Sequence, residues 1–415
     1  MRIAFFVSRF PKLSETFILN QVVGLLDAGQ DVTVYAWGME EGVLPPEFER
    51  YELPRRTRYL TPPRLRILRW TRTVRLLASS GVGRGSEVAR RAWTSRKGEA
   101  ALSTSGALYA AATLLSEEPY DIVHCQFGGL GLRALVLREL GAARGRLVVS
   151  FRGADLTREG RAEEYRDLLA RGDLFLPVCE HFREELIRQG ADPARVRVHR
   201  SGISLSRFAY RERVRGPGQP LRLLTISRLT EKKGVRYALE AVARLKAEGR
   251  RVSYRIVGDG ELRLLLEGMI AELGLGAEVE ITGALGHEGV VSALGEAHVL
   301  LAPSVTASDG DKEGIPNALK EGMAVGLPVV GTFHSGIPEL VEDGISGFLV
   351  PERDPEALAE RLAWLDENPE SWPRLGRAGR IRVEADYDID KLNARLSSLY
   401  RELLSDVPAT SAARV

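Results

Sequence analysis

The chain is predicted to fold as two doubly wound α/β domains, each a parallel sheet covered by helices, with a cleft between them. Three observations carry this. Short β-rich runs alternate with helix-length segments. The runs are apolar throughout rather than at every second residue, as strands buried on both faces must be. The alternation also occurs in two series, which meet at residues 210–220, a stretch rich in Arg, Gly and Pro. Length agrees, since 415 residues at roughly 150 per domain make two or three domains.

In the first domain, 1–210, strands are predicted at 3–7, 31–36, 122–125, 147–151 and 174–178, with helices at 16–28 and 180–188. In the second, 221–385, strands fall at 221–226, 252–257, 278–282, 299–303, 328–332 and 347–350. Helices at 235–248, 261–273 and 355–367 lie between them. A last helix, 386–404, carries Leu392, Leu396, Leu399 and Leu403 at helical spacing and is expected to pack back on the first domain. Residues 405–415 read as a disordered tail.

One insertion breaks the pattern. Residues 55–97 hold twelve Arg, one Lys and a single acid, Glu87. Arg66, Arg69, Arg72 and Arg75 recur every third residue, with Leu65, Ile67, Leu68, Trp70, Val74, Leu76 and Leu77 among them. Two readings stand: a basic amphipathic helix lying on a membrane surface, or a helix packed on the domain with its Arg row in water.

Composition excludes several classes. With 44% hydrophobic and 27% charged residues the chain is neither disordered nor fibrous. No stretch approaches the roughly 18 apolar residues of a membrane span, and the apolar run before Ser8 is too short for a signal-peptide core. Cys125 and Cys179 alone make neither a disulfide framework nor a thiolate metal cage, so a cytoplasmic setting is expected. A net charge of +2 argues against a globally basic nucleic-acid binder.

The most informative stretch runs from Ala302 to Ala324: the end of an apolar strand, a polar loop, then a helix beginning near Pro316. The first amides of that helix, at Asn317, Ala318 and Leu319, form an anion site. Glu313 precedes it, and Glu321 lies roughly 7–8 Å further along at about 1.5 Å per residue. A pyrophosphate on the amides would thus have a carboxylate on each side to accept from sugar hydroxyls. The same residues also fit a dipole-stabilising acid and a solvated surface charge.

Glu313 and Glu321 form an E-x7-E pattern, EGIPNALKE, with SRLTEKKG upstream at 227–234. Together these resemble family 4 of the retaining glycosyltransferases, which have the GT-B fold. SRFPKLSETFILNQ at 8–21, HCQFGGLG at 124–131 and SDGDKEGIPNALKEG at 308–322 are similar, more narrowly, to bacterial exopolysaccharide enzymes of the colanic acid and amylovoran type. The resemblance covers nearly the whole chain. It implies that Arg228 and Lys233 bind the donor diphosphate and neutralise the leaving group, as two cations can without a metal. It further implies that Glu313 contacts the donor sugar, that Glu321 bonds the ribose, and that the amides of Gly314, Ile315, Pro316 and Asn317 line sugar and phosphate. Gly258 and Gly260 mark a turn where the nucleotide approaches, and Gly283 borders the base.

On the first domain, the resemblance implies that His124 lies near the transferred sugar. SFRGAD at 150–155 occupies a slot where many relatives have His-Gly-x-Asp; here Arg152 replaces that His, and a guanidinium suits a hydroxyl or acceptor phosphate. Asp155 either orients the acceptor or caps a helix. Glu15 replaces glycines that relatives carry in the first strand-to-helix loop, and is either an acceptor contact or a first-turn acid. Asp309-Gly310-Asp311 has the D-x-D shape of a metal site in another glycosyltransferase fold, but its place before the E-x7-E helix argues for no metal. Gly128 to Gly131 follows the third strand, and no ribose-binding acid follows a strand about 20 residues on, so hydride transfer is not expected.

The reading is therefore a retaining, metal-independent hexosyltransferase without cofactor, taking a nucleotide diphosphate sugar, UDP in preference to GDP. Its acceptor would be a lipid-linked oligosaccharide at the inner face of the membrane. The rivals are a nucleotide-sugar epimerase of the same fold and a non-catalytic assembly protein.

Overall fold

A computed structural model describes residues 1–12, 15–40, 46–63, 65–79, 82–94, 104–158 and 160–405. The first domain contains strands β1 (Arg2–Val7), β2 (Asp31–Ala36), β3 (Thr57–Tyr59), β4 (Ile122–Cys125), β5 (Arg146–Phe151) and β6 (Leu174–Pro177). The second contains β7 (Leu221–Ile226), β8 (Val252–Val257), β9 (Val279–Gly283), β10 (Val299–Ala302), β11 (Val329–Thr332) and β12 (Phe348–Val350). They form two six-stranded sheets, ordered β3-β2-β1-β4-β5-β6 and β12-β11-β10-β7-β8-β9. All the strand pairings within them are parallel.

Burial explains the unbroken apolar runs. Along β1, Ala4 and Phe6 enter the core on one face of the sheet, while Ile3, Phe5 and Val7 enter the core on the other. The period of two is present but invisible, because both faces are dry. In each sheet the strand order reverses between two neighbours, β1 and β4 in the first and β7 and β10 in the second. Loops diverge there, and in open parallel sheets that is where ligands lodge.

The three-residue edge strand β3 was not expected. Its Thr-Arg-Tyr sequence lies in the Arg-rich insertion, where charge masks a strand that needs only one partner, β2. The insertion continues as helices Arg66–Ser79 and Val82–Thr94; residues 64, 80, 81 and 95–97 of it lie outside the described residues. The structure divides the Arg row: Arg72 and Arg75 lie in water, while Arg69 does not. Arg69 turns inward, donating to Ser105 Oγ at 3.1 Å and Pro63 O at 3.2 Å, beside the buried Thr73. Leu65, Ile67, Leu68, Trp70 and Val74 point outward, Ile67 79% and Trp70 53% exposed.

The last helix, Ile389–Ser405, lies on the first domain, its Leu396, Leu399 and Tyr400 joining the core that holds Phe5 and Ile18. The expected tail, from 406 on, lies outside the described residues. No helix among the described residues is long and apolar enough to cross a membrane.

Candidate active site

The loop between β10 and the helix Asn317–Ala324 passes between the domains. A Cβ on Gly314 would stand 2.9 Å from Val178 Cγ2 and 3.4 Å from the Arg152 carbonyl, so only glycine lets the loop lie against the first domain. Ile315 packs on apolar cores of both domains. The Lys312 amide donates to Thr157 Oγ1 at 3.0 Å, and Arg158 pairs with Asp309 at 3.0 Å.

Glu313 is the hub of this loop. Its Oε2 lies 2.7 Å from Lys233 Nζ and 3.6 Å from Lys232 Nζ, and Lys232 in turn sits 3.1 Å from Asp311 Oδ1. Burial alone would raise the Glu313 carboxyl; Lys233 and Lys232, with Arg228 behind them, hold it down to about 2. It is therefore a carboxylate at any physiological pH.

Lys233 closes a short turn, Glu231–Lys233, whose position depends on the next residue. Gly234 has φ +63°, and a Cβ there would collide with the Pro303 carbonyl at 1.8 Å. Glycine thus presses the β7 turn onto the end of β10 and brings Lys233 to Glu313. Arg228, in the same turn, stays exposed.

The helix begins at Asn317, with Pro316 as its N-cap rather than its first residue, and no side chain caps it. Its first-turn amides therefore have no intrahelical partner, the arrangement in which a helix start can receive an anion. Lys320, fully buried one turn on, donates to the Ser201 carbonyl at 2.7 Å, and burial lowers its ammonium to about 7. Burial raises the neighbouring Glu321 carboxyl, against the pull of Lys320.

The candidate glycines that follow β8 pack beside the turn that carries Arg228. Gly258 would place a Cβ 1.8 Å from the Ser227 carbonyl, and Gly260 one 2.6 Å from the Leu229 carbonyl. Their bareness makes room for the Arg228 turn itself. Gly283 accepts from the Gly258 amide at 2.9 Å and so belongs to the same layer.

Candidates of the first domain fare less evenly. His124 lies inside β4, fully buried, its Nε2 2.8 Å from Ser150 Oγ and its Nδ1 2.6 Å from Tyr400 OH. Burial lowers its pKa well below the usual range. Both nitrogens are engaged and no surface is open, so a contact with a sugar does not fit; His124 positions its neighbours. Asp155 accepts from the amides of Arg152, Gly153 and Gly128 at 3.0, 2.9 and 3.2 Å. It ties the β5 turn to the start of the Gly128–Glu139 helix, which leaves it little to offer an acceptor, and it is not the N-cap residue, which is Gly153.

Arg152 follows β5 and is partly buried. It donates to Ser201 Oγ at 2.7 Å, Gln126 Oε1 at 2.6 Å and Gln21 Oε1 at 3.1 Å, with its guanidinium 4.3 Å from the Phe17 ring. Burial among these neutral groups lowers its pKa to about 10. Glu15 pairs with Lys12 at 2.5 Å beside a small cavity lined by Arg9, Phe10 and Lys12. Ser14 of that loop lies outside the described residues. In the D-x-D segment, Asp311 already faces Lys232 and Asp309 already faces Arg158. No cluster of three or more potential metal ligands occurs among the described residues.

Sequence reasoning missed Lys232, His334 and Glu352. Lys232 is indistinguishable from Lys233 without burial. His334 follows β11 by two residues and is fully buried; the expectation that functional groups follow strands would have found it.

Two doubly wound domains with a cleft at the carboxyl ends of their strands are the GT-B architecture. Residues 206–382 match the model of the glycosyl transferases group 1, and residues 14–202 that of the glycosyl transferase 4-like domain. A protein of Salmonella typhimurium named for colanic acid biosynthesis, the glycosyltransferase WcaL, is 38% identical over 97% of this chain and 100% of its own. The amylovoran biosynthesis glycosyltransferase AmsK of Erwinia amylovora is 36% identical over 94% of this chain and 96% of its own. Among solved structures, Anabaena HepE in complex with UDP and glucose superposes with a TM-score of 0.71 at 16% identity, over 97% of this chain and 100% of that one. The sucrose-phosphate synthase of Thermosynechococcus elongatus gives 0.72 at 19% identity, over 98% of this chain and 100% of that one. The chain belongs to the group 1 glycosyl transferases and is a glycosyltransferase.

Proposed function

We propose that this chain is a retaining hexosyltransferase of exopolysaccharide assembly, moving a sugar from a UDP-sugar to a lipid-linked oligosaccharide without a metal. One observation carries the reading: Lys233, Lys232 and Glu313 converge beside the uncapped start of the Asn317 helix. The diphosphate rests on the helix amides, and Arg228 and Lys233 neutralise the charge that grows as it departs. Glu313 and Glu321 hold sugar and ribose hydroxyls. The acceptor hydroxyl attacks the anomeric carbon on the face the diphosphate leaves, and its proton passes to the departing phosphate oxygen. The protein contributes orientation and charge stabilisation. The names of the relatives support the polysaccharide, and the UDP bound by HepE supports the nucleoside.

A thermal-shift series tests the donor. A ligand present at 100 times its Kd stabilises the native state by about 2.7 kcal/mol, which raises the melting temperature by a few degrees. UDP-sugars are expected to do so, with or without EDTA, and GDP-sugars not. A shift with GDP-sugars alone refutes the nucleoside, and a shift that EDTA abolishes refutes metal independence.

The outward face of the Arg66–Ser79 helix supports attachment to the membrane. Ile67, Trp70 and Val74 occupy one stripe, and Arg72 and Arg75 beside them are exposed too, the pattern of a helix that sinks its apolar side among anionic headgroups. Vesicles containing anionic lipid are expected to sediment the protein. The double substitution Ile67→Asp, Trp70→Asp is expected to weaken that binding by about tenfold or more, leaving the melting temperature within a few degrees of wild type because neither side chain belongs to a buried core. Equal sedimentation of variant and wild type rejects this surface.

A further inference from the structure

The loops that follow β10, β11 and β12 are tied together by one carboxylate. Glu352, two residues past β12, accepts from the Thr306 amide at 2.8 Å and stands 2.5 Å from His334 Nδ1. The other ring nitrogen of His334, Nε2, lies 3.0 Å from the amide nitrogen of Glu313. A backbone amide can only donate, so Nε2 must present its lone pair. The ring proton is therefore on Nδ1 and points at Glu352, the same carboxylate–histidine arrangement that orients ligating histidines elsewhere.

We propose that His334, held in its Nδ1–H form by Glu352, is a positioning residue that fixes the Glu313 carboxylate for the donor sugar. The need is clear from the loop. Residues 303–316 have no helix or strand, yet a working carboxylate must be held to within about 0.5 Å. Glu352 grips the loop near its beginning, at Thr306, and through His334 grips it again at Glu313. Lys233 holds the side-chain end of Glu313 but turns to the diphosphate when the donor arrives, whereas His334 holds the Glu313 backbone amide.

The arrangement responds to acid. A protonated His334 would turn an N–H toward the Glu313 N–H and release it. The charged or titratable groups facing His334 are Glu352 beyond β12, Glu313 and Lys312 in the β10 loop, and His181 from the first domain. Burial first, and Lys312, disfavour its charge, and the two carboxylates favour it; the balance lowers its pKa below the usual value. Release is thus confined to pH below the ordinary histidine range.

The inference rests on Glu313 acting on the donor, but one test needs no donor. In ligand-free protein labelled with 15N-histidine, the resonance that disappears in His334→Gln is expected to be the Nδ1–H tautomer; an Nε2–H tautomer overturns the proposal. Turnover of UDP-glucose then gives the functional test. His334→Ala is expected to lower kcat about tenfold with KM changed less than about threefold. His334→Gln, whose side-chain oxygen can replace Nε2 as acceptor, is expected to recover kcat to within about threefold and to lose the acid-side fall in rate. A folded His334→Ala protein with wild-type kcat overturns the proposal, as does equal loss in Gln and Ala. If the wild type does not turn over UDP-glucose, the same variants are compared on the UDP-sugar that gives the largest thermal shift; if no UDP-sugar is turned over, the donor reading fails and the tautomer still decides the role of His334.

Discussion

Lys233→Ala is expected to lower kcat/KM for a UDP-sugar by roughly 10²–10³-fold, about 3–4 kcal/mol of transition-state stabilisation. The size follows from its environment. The Nζ is mostly buried, 14% exposed as a side chain, and is aimed at the one carboxylate of the E-x7-E loop nearest the helix start. Charge that develops on a departing diphosphate in such a site is screened little by water, so a missing cation is felt almost in full. Arg228 is more exposed, and its removal is expected to cost less.

The chain should remain folded, because Glu313 is not left alone. Lys232 stays 3.6 Å from its carboxylate, and the Glu313 amide stays on His334. A melting temperature within a few degrees of wild type, with transfer nearly lost, is the expected pair of results. A loss smaller than about fivefold would remove the diphosphate from this cluster.

Much of this site was legible because its chemistry lies where secondary structure changes. A helix start after a polar loop, a cation after a strand and two acids at fixed spacing can be read without coordinates. The strands were legible for the same reason: β1 is apolar at every residue from Ile3 to Val7 because it is buried on both faces. What stayed hidden depends on contacts distant in sequence. His124 looks like any histidine after a strand until Tyr400, 276 residues away, closes over it. Asp155 looks free until three backbone amides claim it. The insertion helix showed its apolar and basic residues, but which stripe faces the domain was decided by Arg69 reaching Ser105 and Pro63.

Glu313→Gln is expected to lower kcat about 100-fold and at the same time to tighten the binding of UDP alone by a few-fold. The two halves have one cause. In the ligand-free protein Glu313 occupies Lys233 at 2.7 Å, so an incoming diphosphate must take the lysine from the carboxylate. Glutamine keeps the shape but gives up that competition, which favours UDP. It also gives up the anionic acceptor for a sugar hydroxyl, which slows transfer. A residue that merely shaped the loop would weaken both. The pH dependence separates the cases further. Lys233 and Lys232, against the opposing effect of burial, depress the carboxyl to about 2 in the folded protein; an unfolded glutamate titrates near 4.3. Its contribution to stability is therefore complete above the unfolded value and is lost only as pH falls from there toward the folded one. Between pH 5 and 9 the wild-type rate should show no inflection from Glu313, and the variant should run parallel to it, about two orders of magnitude lower. Isothermal titration with UDP and initial rates across that range decide the matter: weaker UDP binding in Glu313→Gln, or two profiles that converge at any pH, would mean that Glu313 does not stand between the lysine and the donor.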